Sequence, residues 1–169
     1  MRRNNDILIL GLGNEALGDE SLGIDLVKKL EIQDNFPLTD YHFSYNGGLE
    51  LLDFIQGYSK LVLIDTIDSE ERAEGRISVM NTEDYKETIH LSSPHDMSFK
   101  TALSLGRKLG LIIPEHIMFI AIEIIPDLTL RDNLSKNIQD NFEVILVETR
   151  NHIEQFVKIV HTCSFNKEL

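Results

Sequence analysis

The sequence has little of what marks several large classes of protein. Only one of its 169 residues is a cysteine, Cys163, which excludes an internal disulfide framework and a zinc site built from thiolates. No apolar run reaches the ~20 residues that cross a membrane as a helix. The first residues, 1–6, also lack the apolar stretch of a secretion signal. We therefore expect a cytoplasmic protein without a membrane partner.

Basic residues are scarce as well. The chain has 16 Lys and Arg residues against 28 Asp and Glu residues, which gives a formal net charge of −12. Such a surface repels nucleic-acid phosphates and anionic lipids, so we expect no nucleic-acid partner and favour a cation or a basic partner. The 42% of hydrophobic residues is enough for a folded core. We expect one domain over residues 1–169, with a monomer as the expected oligomeric state.

Short apolar runs and helical spacing of apolar residues alternate along the chain. The runs predict strands at residues 7–10, 41–45, 61–64, 77–80 and 117–122, and the spacing predicts helices at 19–30, 49–55, 97–109 and 134–160. The predicted apolar face is Leu22, Leu26, Val27 and Leu30 in the first helix, Met97, Ala102, Leu105 and Leu109 in the third, and Ile138, Phe142, Ile145, Ile153, Phe156 and Val160 in the last. A short connection before residues 77–80 indicates an antiparallel strand there. The order β-α-β-α-β-β-α-β-α predicts an α/β fold, a single three-layer domain. Its mostly parallel twisted sheet has about five strands, with helices on both faces.

In such a sheet, ligands bind beyond the carboxyl ends of the parallel strands. Asp65 directly follows the apolar run 61–64, Glu20 lies in the first turn of the first predicted helix, and His95 lies where the third helix opens. A carboxylate near a core is costly unless it is paired or binds a cation. Two carboxylates and an imidazole are a common ligand set for a transition metal. Glu20, Asp65 and His95 are therefore the candidate catalytic and metal-contacting residues.

Two of these residues also have ordinary structural explanations. Asp65 can cap a turn or accept backbone N–H bonds. Glu20 is stabilised at a helix N-terminus by the helix dipole, and we expect its neighbour Asp19 to be the N-cap of that helix. The residue chemistry alone therefore leaves the site open.

A competing interpretation is a nucleotide-binding oxidoreductase. The segment Gly11-Leu12-Gly13-Asn14-Glu15-Ala16 fits the loose dinucleotide pattern G-x-G-x-x-G/A after a strand. In that motif a pyrophosphate sits on the helix N-terminus, whereas here Glu15, Asp19 and Glu20 place negative charge there. The nucleotide interpretation is accordingly the less favoured one.

The segment from Gly11 to Gly23 resembles the G-x-G-N-x-L-x-x-D-[DE]-x-x-G signature of the nickel–iron hydrogenase maturation endopeptidases, with Ala16 as a mild departure. Asp65 after its strand is similar to the metal-binding aspartate of that family. Ser93-Pro94-His95 resembles the family's S-x-H motif. The order and approximate spacing of the three segments agree, and the resemblance runs from about Ile7 to the terminal helix.

The resemblance implies an aspartic-type endopeptidase that removes the C-terminal extension of a nickel-loaded [NiFe] hydrogenase large-subunit precursor. Glu20, Asp65 and His95 would then contact nickel, and the substrate precursor would supply this nickel rather than the enzyme binding it permanently. The alternative is a non-catalytic maturation chaperone of the same fold that binds nickel or the precursor.

Two further departures from the family pattern affect residues near the candidate site. Asn46-Gly47-Gly48-Leu49 stands where relatives commonly have Asp-Gly-Gly-Thr, and a neutral amide cannot take the acid–base role proposed for that aspartate. Ile124-Ile125-Pro126 follows Glu123, where relatives tend to place proline directly after the acid. The asparagine gives the chaperone alternative some weight.

Overall fold

A computed structural model describes residues 5–33, 36–68, 73–83, 98–127 and 129–165. The strands are β1 (Ile7–Leu12), β2 (Thr39–Ser44), β3 (Lys60–Asp68), β4 (Ile77–Asn81) and β5 (His116–Ile124). The helices are α1 (Leu22–Gln33), α2 (Leu51–Ile55), α3 (Phe99–Lys108) and α4 (Lys136–Phe165). Short 3-10 turns at Gly18–Ser21 and Gly48–Glu50 precede α1 and α2. This order confirms the predicted alternation of strands and helices.

The five strands form one sheet in the order β2-β1-β3-β5-β4. β2, β1, β3 and β5 are parallel, and β4 is antiparallel, as expected from its short connection. β4 pairs with β5 rather than with β3, its predecessor in the chain, because β1 and β5 already occupy both sides of β3. The mostly parallel α/β sheet is thus confirmed.

Helices cover both faces of the sheet, which explains why its central strands are continuous apolar runs. Alternate residues of a strand face opposite sides. Ile7, Ile9, Val62 and Ile64 pack with α1 and α4, whereas Leu8, Leu10, Leu61 and Leu63 pack with α2 and α3. The described residues therefore form two apolar cores, one on each face of the sheet.

The predicted helices at both ends of the chain are present with shifted bounds. The first begins as a 3-10 turn and becomes an α-helix only at Leu22, and its predicted face of Leu22, Leu26, Val27 and Leu30 is buried. On α4, Ile138, Ile145 and Ile153 are buried, and Phe142 and Phe156 pack against the same core. The side chain of Val160, also predicted for this face, lies outside the described residues.

The third helix differs from its predicted face. Met97 lies outside the described residues, and the helix begins at Phe99 with Ser98 as its N-cap, whose hydroxyl accepts a hydrogen bond from the Thr101 N–H. Leu109 follows the last helical residue and is 65% exposed, so its predicted place in the apolar row is wrong. Ala102 is buried as predicted and Leu105 is half-buried, while Phe99, Leu103 and Gly106 complete the buried face.

Among the described residues, no helix is both long enough and apolar enough to span a membrane.

Candidate active site

Three glycines allow the start of α1 to lie directly on the strand ends. A Cβ atom on Gly11 would be 2.4 Å from the Gly23 carbonyl oxygen, and one on Gly13 would be 2.4 Å from the Glu20 carbonyl oxygen. A Cβ atom on Gly23 would be 2.3 Å from the oxygen of Leu12 and 2.7 Å from the oxygen of Ile64. The glycines are therefore required by backbone packing at this junction.

This packing places both candidate carboxylates at one edge of the sheet. Gly23 lies against the carbonyl of Ile64, the residue before Asp65, and Glu20 precedes Gly23 by about one helical turn. Glu20 is 6% exposed and Asp65 is 2% exposed. The edge is the carboxyl edge of the parallel strands β1 and β3, where ligands bind in open α/β sheets.

Asp65 lies inside β3 and not at its end, because the strand continues to Asp68. It faces Ala121 of β5 in the ladder. Its Oδ1 accepts a hydrogen bond from the N–H of Thr66 at 2.8 Å. The structural role considered for this residue, acceptance of a backbone N–H, is thus present in the fold.

His95, the third predicted site residue, lies outside the described residues. Within the described part of the chain, no group of three or more His, Cys, Asp or Glu side chains is placed to hold a metal ion. The joint arrangement of Glu20, Asp65 and His95 therefore stays a prediction.

Asp19, beside Glu20, has a different role from the predicted one. It lies within the 3-10 turn, whose N-cap is Leu17 and has no side-chain cap, so the N-cap prediction is wrong. Its carboxylate accepts a hydrogen bond from the N–H of Ser135 at 2.5 Å and lies 3.4 Å from Nη2 of Arg131. Asp19 thus fastens the segment before α4 to the turn that carries Glu20.

Backbone contacts reinforce this attachment. The Gly18 N–H donates to the Arg131 carbonyl at 2.9 Å, and the Arg131 N–H donates to the Ala16 carbonyl at 3.0 Å. Gly18 has φ +54°, and a Cβ atom there would lie 2.3 Å from Nε of Arg131. Sequence reasoning missed Arg131, because it is 112 positions from Asp19 and no local pattern links the two.

The backbone of the loop between β1 and α1 is hydrogen-bonded within the protein. Two N–H groups donate to carbonyls outside the loop, that of Gly13 to Ser44 and that of Gly18 to Arg131. Within the loop, the Asn14 N–H donates to the Glu20 carbonyl, the Leu17 N–H to the Asn14 carbonyl and the Glu20 N–H to the Leu17 carbonyl. The Ala16 N–H donates to Oδ1 of Asn14. A phosphate-binding loop instead directs such N–H groups at its ligand. The G-x-G pattern is therefore explained by helix packing and not by dinucleotide binding.

Glu15 belongs to an ion pair at the rim of this edge. It accepts hydrogen bonds from Nζ of Lys28 and, at 2.5 Å, from the hydroxyl of Tyr45. The hydrogen bond from Lys28, followed by that from Tyr45, lowers the pKa of Glu15 below its usual 4.5. Nζ of Lys28 also lies 5.0 Å from the centre of the Phe43 ring. This cluster ties the loop after β1 to α1 and to the end of β2.

Glu123 is a second buried acid with an arginine partner. It is 4% exposed, and its Oε1 lies 2.5 Å from both Nε and Nη2 of Arg76. Its N–H donates to the Arg76 carbonyl at 2.9 Å. Glu123 thus holds the start of β4 onto β5, and the departing segment Ile124-Ile125-Pro126 follows this anchor.

Asn46 is exposed, and its Nδ2 donates to Oε2 of Glu50 at 2.8 Å. Its carbonyl accepts a hydrogen bond from the Ser44 hydroxyl at 2.9 Å. Gly48, with φ +63°, is buried below the turn. The asparagine amide therefore shapes the turn after β2 and supplies no titrating group.

Comparison with known proteins identifies relatives over most of the chain. A family model described as hydrogenase maturation protease matches residues 44–148, which is more than half of the chain. The hydrogenase 2 maturation protease of Escherichia coli (strain K12) is 28% identical over 151 residues, covering 85% of this chain and 90% of that protein.

Solved structures of Escherichia coli proteins agree. The hydrogenase maturating endopeptidase HybD is similar with a TM-score of 0.64 and 27% identity, covering 92% of this chain and 93% of that one. A solution structure of an endopeptidase is similar with a TM-score of 0.67 and 25% identity, covering 88% and 90%.

Proposed function

Because this chain belongs to the hydrogenase maturation protease family and is an endopeptidase rather than a chaperone, we propose that it processes a [NiFe] hydrogenase large-subunit precursor. In this proposal the enzyme removes a C-terminal extension once nickel has been inserted into the precursor. The nickel belongs to the substrate and reports that the precursor is ready for cleavage.

One observation supports this proposal above the others. Two buried carboxylates, Glu20 and Asp65, are brought to the same edge of the sheet by the contact between Gly23 and the Ile64 carbonyl. Carboxylate oxygens, together with the imidazole of His95, suit a transition-metal ion that keeps open positions for other ligands. We assign to these three residues both the contact with the substrate's nickel and the chemistry of cleavage.

Peptide hydrolysis needs two proton transfers. One group accepts a proton from the attacking water, and another gives a proton to the leaving amine as the C–N bond breaks. A carboxylate and an imidazole can perform these tasks, so Glu20, Asp65 and His95 suffice without a serine or cysteine nucleophile. Asn46 takes no part in proton transfer, since its amide does not titrate.

The test is cleavage of purified nickel-loaded precursor, followed by mass spectrometry. Replacing Glu20, Asp65 or His95 by Ala is expected to slow cleavage by at least about 100-fold, the range of a lost acid or base. Asp68→Ala is the matched control, because Asp68 is an exposed acid at the end of the same strand β3 and should leave the rate unchanged. Normal cleavage by all three site variants would contradict the residue assignment.

The same experiment tests the role of nickel and the competing class. Precursor prepared without nickel should stay uncut by the wild-type enzyme. A wild-type protein that binds the nickel-loaded precursor tightly without any mass change would instead act as a chaperone.

A further inference from the structure

Two aromatic side chains, Phe43 and Tyr45, are exposed next to each other where β2 ends. They are 39% and 53% exposed, and their rings meet edge to face with the centroids 5.9 Å apart. In the part of the chain that the structure describes, every other phenylalanine and tyrosine is buried or half-buried. Exposed aromatic surface is thus concentrated at one place, and we call these two residues the aromatic pair.

Neighbouring side chains hold both rings in place. The hydroxyl of Tyr45 donates a hydrogen bond to Oε2 of Glu15 at 2.5 Å, and Nζ of Lys28 lies 5.0 Å from the centre of the Phe43 ring. Lys28 also forms an ion pair with Glu15, so the two rings and the ion pair form one cluster. Side chains that are already fixed in the free protein lose little conformational freedom on binding. The aromatic pair is therefore a preorganised contact surface.

The aromatic pair lies close to the turn that carries Glu20. The carbonyl of Ser44 accepts the Gly13 N–H at 3.3 Å, and the next N–H, that of Asn14, donates to the Glu20 carbonyl at 3.1 Å. Backbone bond lengths then limit the separation of the Ser44 and Glu20 oxygens to at most about 11 Å. Tyr45 directly follows Ser44, at the carboxyl end of a strand parallel to β1. The pair thus lies at the same edge of the sheet as the candidate active site.

A protein substrate cleaved beside Glu20 reaches this surface. Standard protein–protein contacts bury about 800 Å² on each partner, which corresponds to a disc of roughly 16 Å radius. A contact of that size centred on Glu20 extends as far as the aromatic pair. Tyrosine and phenylalanine are enriched in such contacts, where rigid aromatic side chains contribute much of the affinity.

We propose that Phe43 and Tyr45 form a docking site for the precursor and pack against aliphatic or aromatic side chains on its surface. The proposal rests on the proposed function, because the occupant is the substrate of that reaction. The rings lie outside the reacting groups and bind the ground state and the transition state alike, so they set KM and not kcat. A second copy of this chain fits less well, since two molecules that each carry a net charge of −12 repel one another.

The first test compares Tyr45→Ala and Tyr45→Phe in cleavage of nickel-loaded precursor. Alanine removes the ring, whereas phenylalanine keeps the ring and removes only the hydrogen bond to Glu15. The KM of Tyr45→Ala should rise roughly tenfold with kcat unchanged, as for loss of an aromatic interface residue. The KM of Tyr45→Phe should stay close to that of the wild type. An unchanged KM in Tyr45→Ala, or an equal rise in Tyr45→Phe, would overturn the docking site while leaving the proposed protease intact.

Ile32→Ala is the matched control for the loss of exposed apolar surface. Ile32 is 79% exposed near the end of α1, which returns the chain to the amino end of β2 at the opposite edge of the sheet. Its KM and kcat should equal those of the wild type. A rise in KM as large as that of Tyr45→Ala would overturn the proposal, because the effect would then not depend on position.

A second test leaves the aromatic pair unchanged, in case Tyr45→Ala does not fold. Hydroxyl-radical labelling of side chains is measured by mass spectrometry in the Glu20→Gln protein, with and without nickel-loaded precursor. Labelling of Phe43 and Tyr45 should fall at least about threefold with precursor, because interface residues are shielded from water, whereas labelling of Ile32 should not change. Unchanged labelling despite binding, or a homodimer that already shields both rings, would overturn the proposal. Failure of the wild-type protein to cleave would instead count against the proposed function.

Discussion

Two pairs of buried acids lie in the same part of this protein but differ in their surroundings. Asp19 faces Arg131 and fastens the segment before α4 to the turn that carries Glu20, whereas Glu123 faces Arg76 and holds the start of β4 onto β5. Glu20 and Asp65 lie where the start of α1 meets the end of β1 and the Ile64 carbonyl of β3, at the carboxyl edge where such sheets bind ligands. Burial alone therefore does not identify a catalytic acid, and the residue adjacent to Glu20 in the signature has a structural task.

The largest expected effect separates the two pairs by activity. Glu20→Gln and Asp65→Asn should lose at least about 100-fold in cleavage rate, with little change in the free energy of unfolding. Asp19→Ala should instead keep most of its activity. It should lose about 1–3 kcal/mol of the free energy of unfolding, because Arg131 and the Ser135 N–H lose their acceptor. Initial cleavage rates measure the activities, and urea unfolding measures the stabilities. A stable but inactive Asp19→Ala protein would place Asp19 in the site.

A second, smaller effect tests the junction that brings Glu20 and Asp65 together. In Gly23→Ala the new Cβ atom would meet the Leu12 and Ile64 carbonyls, so the start of α1 must shift. We expect a loss of about 1–3 kcal/mol in the free energy of unfolding, together with slower cleavage, because Glu20 moves relative to Asp65.

Gly110→Ala is the control for that substitution. Gly110 has φ +75°, and a Cβ atom there would have no neighbour within 4 Å, so only backbone strain is added. The strain costs about 1 kcal/mol, and cleavage should stay unchanged. A Gly23→Ala protein with normal stability and rate would show that the close approach is not needed.

The smallest effect concerns the exposed cluster of Glu15, Lys28 and Tyr45 beside the buried acids. Hydrogen bonds from Lys28 and Tyr45 lower the pKa of Glu15 from 4.5, so this group stabilises the fold above 4.5 and loses that contribution as pH falls through the lowered value. The bond to Glu15 raises the pKa of Lys28 above 10.5 and that of Tyr45 above 10.0. Their contribution is present below those values and is lost as pH rises through the raised ones.

Urea unfolding of the wild-type and Glu15→Gln proteins across this pH range measures how much the cluster contributes to the free energy of unfolding. In the Glu15→Gln protein, the decrease in stability at acid pH that we assign to Glu15 should be absent. Added salt should reduce the stability difference between the two proteins, because exposed ion pairs are screened. Identical pH profiles for the two proteins would show that the cluster contributes nothing to stability.

Much of the fold was predictable because its patterns are local. The apolar runs at β1 and β3 and the periodic row on α4 identify strands and helix from residues close together in the chain. The bounds were less predictable: β3 extends past Asp65, and α1 opens with a 3-10 turn. The roles of Asp19 and Glu123 were not predictable, because their partners come from distant loops.

The sequence by itself determined the alternation of elements, the apolar faces of α1 and α4, and the signature by which residues 11–23 resemble the family. Only the tertiary structure decided that Gly11, Gly13 and Gly23 serve backbone packing, that β4 lies on β5, and that Asp19 pairs with Arg131. The physical reason is the separation along the chain of the residues that interact. Periodicity and turn chemistry act between neighbours in the chain, whereas ion pairing and close packing depend on which distant segments the sheet brings together.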